Sequence, residues 1–325
     1  MLGWSKQVVV ALICGLGAGV AFSANAADAG TLEVVHQGIV HDALYDVCFD
    51  GTSGLAVGVA GEVLNSTDAG LKWTPEKPST NNALLGVACK GKTAIAVGQT
   101  GHIQVKTRGG EWQVVDSGTD QRLLSVSANE HGLAIVAGAF GTVLRSTDSG
   151  LTWEPLSFDW EAILNDFLEP HIYDVSVSAE GVITLVGEFE LVLRSVDAGD
   201  TWEVTNKADT SLFAIHFRDS QFGYAAGQTG KLLKSIDGGV SWQVVAVPTQ
   251  EILLDVWSSS RGEVLVTGIR TLLRSRDDGV TWQEITEGDI SVKWYQAVSG
   301  TQTDDNGAAE NVVMVGHSGR VVRIK

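Results

Sequence analysis

The residues that could do chemistry are few: four tyrosines, seven histidines, three cysteines and a recurring set of arginines. A tyrosine with an acidic neighbour, a second carboxylic acid as proton donor and three arginines converging on a substrate carboxylate would hydrolyse an acidic glycoside. The tyrosines do not fit that role. Tyr45 and Tyr173 hold equivalent places in two similar segments, LYDVCF and IYDVSV, as packing residues of a repeat do, and Tyr224 sits inside an apolar run. The arginines recur at repeat positions instead of gathering at unique ones. No H-x-x-x-H, paired cysteines or G-x-S-x-G is present, so neither a metal centre nor a nucleophile elbow is signalled. The acidic stretch TQTDDNGAAEN, 301–311, lacks the alternating ligands of a calcium loop and reads as a solvated connection. No catalytic residue, cofactor or metal is expected.

The elements that would have to position any site are repeats. Trp73, Trp112, Trp153, Trp202, Trp242 and Trp282 stand 39, 41, 49, 40 and 40 residues apart. Ahead of each come three apolar runs: a first (LYDVCF, LLGVAC, LLSVSA, IYDVSV, LFAIHF, LLDVWS), a second ending in glycine, and a third after a tight turn. The tryptophan opens a fourth. Four short strands at turn-separated spacing make a propeller blade. Residues 294–325 supply three more strands, and TLEVVHQG, 31–38, matches the fourth-strand segment EWQVVDSG, 111–118. The expected fold is therefore an all-β, seven-bladed propeller over 27–325, with four-stranded blades and the N-terminal strand closing the ring. Closure removes exposed strand edges.

Five turns carry one phrase: STDAGLKW, STDSGLTW, SVDAGDTW, SIDGGVSW and SRDDGVTW. The glycine supplies a positive φ. Asp68, Asp148, Asp197, Asp237 and Asp277 accept hydrogen bonds from turn amides. Trp73, Trp153, Trp202, Trp242 and Trp282 seat their rings on the blade. This is the Asp-box, or BNR, signature, a fold staple at the outer rim.

The start of the chain reads as a signal peptide, residues 1–26. Lys6 precedes the apolar stretch QVVVALICGLGAGVAF, and Ala24-Asn25-Ala26 offers small residues before a cleavage point. Cys14 is a poor lipoprotein site, because Ile13 precedes it. Export leaves Cys48 and Cys89, one position out of step in neighbouring repeats. They either face each other or point apart, and buried thiols are the expectation. Net charge is −17 with no basic run, which argues against phosphate-backbone binding.

With the blade pattern in place, the chain resembles the photosystem II stability/assembly factor family and its bacterial relatives. The stretch LFAIHFRDSQFGYAAGQTGKLLKSIDGGVSWQVV, 212–245, carries the likeness through Phe222-Gly223, Gly227-x-x-Gly230, Leu232-Leu233 and Asp237-Gly238-Gly239 with Trp242. The resemblance implies a non-enzymatic exported factor, periplasmic, or lumenal in the thylakoid of a photosynthetic source. Such a factor binds and helps assemble or stabilise a membrane-protein complex, using an arginine-bearing surface. It implies no nucleic-acid partner, no membrane span in the mature chain, and a monomer. The alternative is a sialidase-like glycoside hydrolase or a carbohydrate-binding Asp-box propeller. Three departures stand out. Arg108 replaces an Asp-box aspartate, Glu190 replaces a turn glycine, and the sixth repeat is one residue short near Ile269-Arg270.

Three features rise above the repeat background. Arg145, Arg194, Lys234, Arg274 and Arg323 form a basic arc, read either as links between blades or as a partner-facing surface. Phe140, Phe189, Arg270 and His317 lie on turns between second and third strands, a face shared with the blade-to-blade connections. The insertion SFDWEAILNDFLEPH, 157–171, places Trp160, Ile163, Leu164, Phe167 and Leu168 at helical spacing, with Ser157 or Asp159 as cap and Pro170 as stop. Trp160, Phe167, Phe140 and Phe189, with Arg270 and His317 at the rim, are the expected hydrophobic contact surface.

Overall fold

The computed structural model describes residues 32–107, 109–301 and 311–325. The expected signal peptide, Arg108 and most of the 301–311 loop lie outside the described residues. Seven four-stranded antiparallel sheets are arranged as blades. Blades one to six span 44–75, 84–115, 123–155, 172–206, 212–244 and 253–284. Blade seven takes its three inner strands from 295–324 and its outermost strand from Leu32–His36.

That last pairing closes the ring. Leu32, Glu33 and Val34 pair with Ile324, Arg323 and Val322. The closure continues past the strand: the Gly38 amide donates to the Ser318 carbonyl (3.1 Å) and the Gly319 amide to that of Asp42 (3.1 Å). Buried side chains alternate along the second and third strands and pack blade against blade, so the core runs around the ring as a series of inter-blade layers.

The Asp-box turns work as local staples. In blade one the Ser66 hydroxyl accepts from the Gly70 amide (3.0 Å), Asp68 accepts from the Lys72 amide (2.9 Å), and the Trp73 indole donates to the Gly70 carbonyl (3.0 Å). Blades three, four and six repeat the set around Asp148, Asp197 and Asp277, with Trp153, Trp202 and Trp282. In blade five Asp237 keeps its turn bonds, while Trp242 donates to Thr205 instead. Blade two lacks the aspartate and is tied differently: Glu76 of blade one accepts from both Lys106 and the Trp112 indole.

Cys48 and Cys89 form a disulfide (Cα–Cα 5.7 Å), which corrects the expectation of free thiols. Their opposite parity does aim them at each other, because adjacent blades meet by opposite faces.

Glu190 stands at φ 46°, where other turns have glycine. Its buried carboxylate accepts from the Thr210 hydroxyl (2.7 Å) and pairs with Lys231 of the next blade (3.1 Å). The glycine's freedom is exchanged there for an inter-blade ion pair.

Candidate functional site

The turns between second and third strands pack against the blade-to-blade connections, so both lie on one face, here the connection face. A Cβ at Gly61, Gly101 or Gly230 would collide with the carbonyl of Thr80, Thr119 or Thr249 in the neighbouring connection.

The insertion is on this face, and only part of it is helical. Helix α1 covers Trp160–Leu164. Asp159 caps it through the Ala162 amide (3.0 Å). Asn165 ends it in the left-handed conformation, and the Asp166 carboxylate captures the next amide (2.7 Å), which is why the apolar spacing is not followed to 171. Trp160 is 9% exposed, stacked on Phe158 (4.6 Å) and pressed on Gly141, where a Cβ would lie 2.2 Å from its Nε1. Lys207 donates to the carbonyls of Ile163 and Leu164. Trp160 thus belongs to a lid over blades three and four, whereas Phe167 is 87% exposed.

The other expected contact residues separate as well. Phe140 is 58% exposed and Phe189 half-buried. Arg270 is exposed and holds both oxygens of Glu251 (3.0 Å each). His317 is buried against Asp289 (2.9 Å), between Trp294 and Tyr295.

Three members of the basic arc are spent between blades, and the other two pair within their own blade. Arg145 donates to the Ala198 carbonyl (3.0 Å) while pairing with Glu154 and Asp200. Arg194 donates to the Gly238 carbonyl (2.8 Å) and Lys234 to that of Asp278 (2.7 Å). Each therefore latches onto the Asp-box turn of the next blade. Arg274 pairs with Glu263 (2.6 Å) and Arg323 with Glu33 (3.7 Å).

What sequence reading missed lies at the channel. Every first strand carries a register shift at the same place, leaving one residue per blade without a ladder partner: Tyr45, Leu85, Leu124, Tyr173, Phe213, Leu254 and Gln296. A bulge re-aims the side chain it releases. All seven are half-buried, and six are large and apolar. They form a ring at the channel mouth on the connection face.

Aromatic contacts extend the ring outward. Phe140 meets His171 edge-on (4.8 Å), His171 lies 6.1 Å from Tyr173, and Tyr173 meets Phe213 (4.9 Å). Opposite, Tyr45 stacks on Trp294 (6.4 Å). The sequence signal was two consecutive apolar residues, as in LYDV or LLSV, with the next apolar one two positions on. Strict alternation would not give that pattern.

One residue further along three of these strands sit Asp46, Asp174 and Asp255. Each spans a blade seam, accepting from its own next amide (Val47, Val175, Val256; 2.7–2.8 Å) and from an amide of the following blade (Val87, Ile215, Val298; 2.7–2.8 Å). The surface each retains faces the channel interior. Below this belt, a cavity of about 830 Å³ runs to the opposite face. It is lined by the belt and by later residues of the first strands, and by none of the bulged ring.

Burial raises Asp46 to about 7 and Asp174 to about 6, and pushes Asp255 well up, with mutual repulsion adding to Asp46 and Asp255. Burial lowers His216 to about 4. A carboxyl raised in the folded state stabilises the fold at low pH and ceases to do so as pH rises through its folded value. A lowered imidazole has the opposite slope between about 4 and 6.5, so the two oppose each other there. Above that window the belt alone still titrates. The melting temperature is expected to fall as pH rises through about 7. Asp46→Asn should flatten that decline, and a melting temperature that climbs from pH 6.5 to 8 would refute the assignment.

Among the described residues no cluster of three or more His, Cys, Asp or Glu side chains could hold a metal. Tyr224 is fully buried, donates to the Asp278 carbonyl (3.0 Å) and is pushed up to about 12, mainly by burial, so it is no nucleophile.

Residues 104–209 match the family model of the photosynthesis system II assembly factor YCF48. No curated protein sequence matches. Among solved structures, YCF48 bound to a D1 peptide superposes with a TM-score of 0.71 at 20% identity, over 92% of this chain and 98% of that one. YCF48 from Cyanidioschyzon merolae gives 0.71 at 19%, over 91% and 99%. The GH74 xyloglucanase from Xanthomonas campestris gives 0.65 at 16%, over 90% of this chain and 53% of that one. At such identities the structural likenesses speak to the fold. The chain is a seven-bladed propeller, and its stretch from the third strand of blade two through blade four matches the photosystem II assembly factor family model.

Proposed function

We propose that this chain is an exported, non-enzymatic factor that helps assemble or stabilise a membrane-protein complex by holding a segment of one subunit on its connection face. The observation that carries the reading is the bulged ring of Tyr45, Leu85, Leu124, Tyr173, Phe213 and Leu254, continued outward by His171 and Phe140. Ring closure does not need bulky apolar side chains at these unpaired positions, and half-exposed aromatic clusters are the usual anchors of protein contacts. The D1 peptide bound to one similar propeller supports a peptide segment as the occupant. Glycoside hydrolysis is the weaker reading, because Arg145 and Arg194 are committed to blade seams, Arg274 is paired with Glu263 inside blade six, and the three do not converge.

The immobilised full chain, exposed to detergent-solubilised membranes of its source, should retain a membrane-protein subunit at low and moderate salt. Retention of nothing beyond a control propeller would overturn the reading. So would turnover of a sialoside or xyloglucan that a single acidic substitution abolishes.

A further inference from the structure

The cavity below the acidic belt has a side arm. Thr184, Arg194 and Gly238 are its only lining residues from a second strand, a third strand or an Asp-box turn, so it reaches outward between blades four and five alone. Ser176, Thr184 and Arg194 form one wall. They are paired in register across the three inner strands of blade four and so share one side. The Arg194 Nε bond to the Gly238 carbonyl fixes that side as the one facing blade five.

Two independent features mark the arm. The first is Thr184. The residue paired with the arc position in the other blades is Leu55, Ile95, Ile135, Tyr224, Leu265 or Val313, so a small polar side chain here replaces an aliphatic one or a tyrosine. Thr184 is 2% exposed, and neither its hydroxyl nor that of Ser176 makes a hydrogen bond among the described residues. A buried hydroxyl without a partner is costly unless something else fills the role. The second feature is Arg194. Arg145, Arg274 and Arg323 each answer an acid, whereas Arg194 has no acidic partner among the described residues. Gly238 holds its Nε, which orients the guanidinium and leaves both η nitrogens unused. Phe217 comes to the same place: a Cβ at Gly239 would lie 3.1 Å from its ring and 3.7 Å from Arg194 Cδ. The acids around the arm are engaged elsewhere, Asp219 by Arg218 (3.3 Å) and Asp174 by two amides and Ser125. A fixed guanidinium edge, two free hydroxyls and a phenyl wall complement a carboxylate on an apolar body.

We propose that the arm between blades four and five binds a small monocarboxylate. Its carboxylate sits on the Arg194 η nitrogens, its body against Phe217, and a polar substituent on Thr184 and Ser176. One free guanidinium balances one negative charge, and a net charge of −17 disfavours a dianion. The arm opens from the part of the channel that runs to the face opposite the mouth, and none of the bulged ring lines it. The proposal is therefore independent of the partner seat on the connection face.

The test is calorimetric titration of the full chain with para-hydroxybenzoate, para-hydroxyphenylacetate and phenylpropionate. Para-hydroxybenzamide serves as the uncharged control and inorganic phosphate as a plain anion. At least one acid should bind saturably, and the amide about tenfold more weakly or worse. Thr184→Leu, which restores the residue type of blades one and six, should fill the arm and abolish binding while the melting temperature holds or rises. A residue with only a structural role would lose binding and stability together. Thr184→Val should weaken a hydroxyl-bearing acid by about tenfold. Arg194→Gln, which keeps an N–H for the Gly238 carbonyl, should weaken every acid by about tenfold or more, whereas Arg145→Gln should leave affinity unchanged. Two results would overturn the proposal: no acid binds, or acids and phosphate bind alike and survive Thr184→Leu, which would mark a surface cation only.

Discussion

Deleting residues 32–38 should destabilise the entire ring in one cooperative step. The strand Leu32–His36 is the outermost member of blade seven, and its removal bares the edge of Val321–Ile324. Four paired positions are lost, together with the packing of Leu32 and Val35 against two different core layers. At about 1 kcal/mol per lost pairing and about 1–1.5 kcal/mol for each apolar side chain, the direct cost is about 6–7 kcal/mol. In a chain of this size that corresponds to a fall in melting temperature of about 10 °C or more. The loss spreads because blades one and seven are also joined through Gly38–Ser318 and Asp42–Gly319, which the deletion cuts or loosens. A single shifted transition in calorimetry is expected, with aggregation through the bared edge at higher concentration. A truncated chain that melts within about 2 °C of the full one would show that the termini are not what holds the ring.

The repeat architecture was legible because each blade must rebuild the same turn from the same few residue types. Ser66, Asp68, Gly70 and Trp73 make one hydrogen-bonded unit, and its recurrence every forty or so residues marks the ring directly. Closure was legible for the same reason, as an outer strand displaced to the other end of the chain. The site was legible only to the level of a face. Phe140 and Phe189 could be placed on it from turn chemistry, but whether a side chain points to solvent depends on the neighbour that covers it. Trp160 shows this: its helical spacing is real, yet Gly141 leaves a seat for the indole and turns a candidate contact into a lid. The basic arc shows it again, since sequence cannot tell that Arg194 ends on a carbonyl of the next blade. The bulged ring escaped because a one-residue register shift is set by pairing across strands. Its trace in sequence is only a doubled apolar residue, and that is equally compatible with a buried strand. The disulfide depended on a similar point, the way two out-of-step positions meet across a seam.

Replacing Tyr173 and Phe213 together by alanine should abolish capture of the proposed membrane-protein partner while leaving the fold nearly intact. The two rings touch at 4.9 Å across blades four and five, at positions that make no ladder pairing of their own. Both are half-buried, and the strand residues on either side, Ile172, Val175, Leu212 and Ile215, keep the core layers. The stability cost is therefore expected to stay well below the 3–5 kcal/mol of a buried aromatic truncation. Binding should suffer more, because paired aromatic anchors at the centre of an interface are each worth about 2 kcal/mol or more, so losing both lowers affinity by about 1,000-fold. Two further variants decide which part of the molecule is responsible. Phe167→Ala, on the exposed end of the insertion, should lower affinity by less than about threefold if the mouth is the anchor. Arg145→Ala should lower the melting temperature through the lost Glu154, Asp200 and Ala198 contacts, with capture reduced only in proportion to unfolding. If Phe167→Ala alone removes the partner from a folded protein while the Tyr173 and Phe213 double variant still retains it, the partner docks on the insertion and the channel mouth is not its seat.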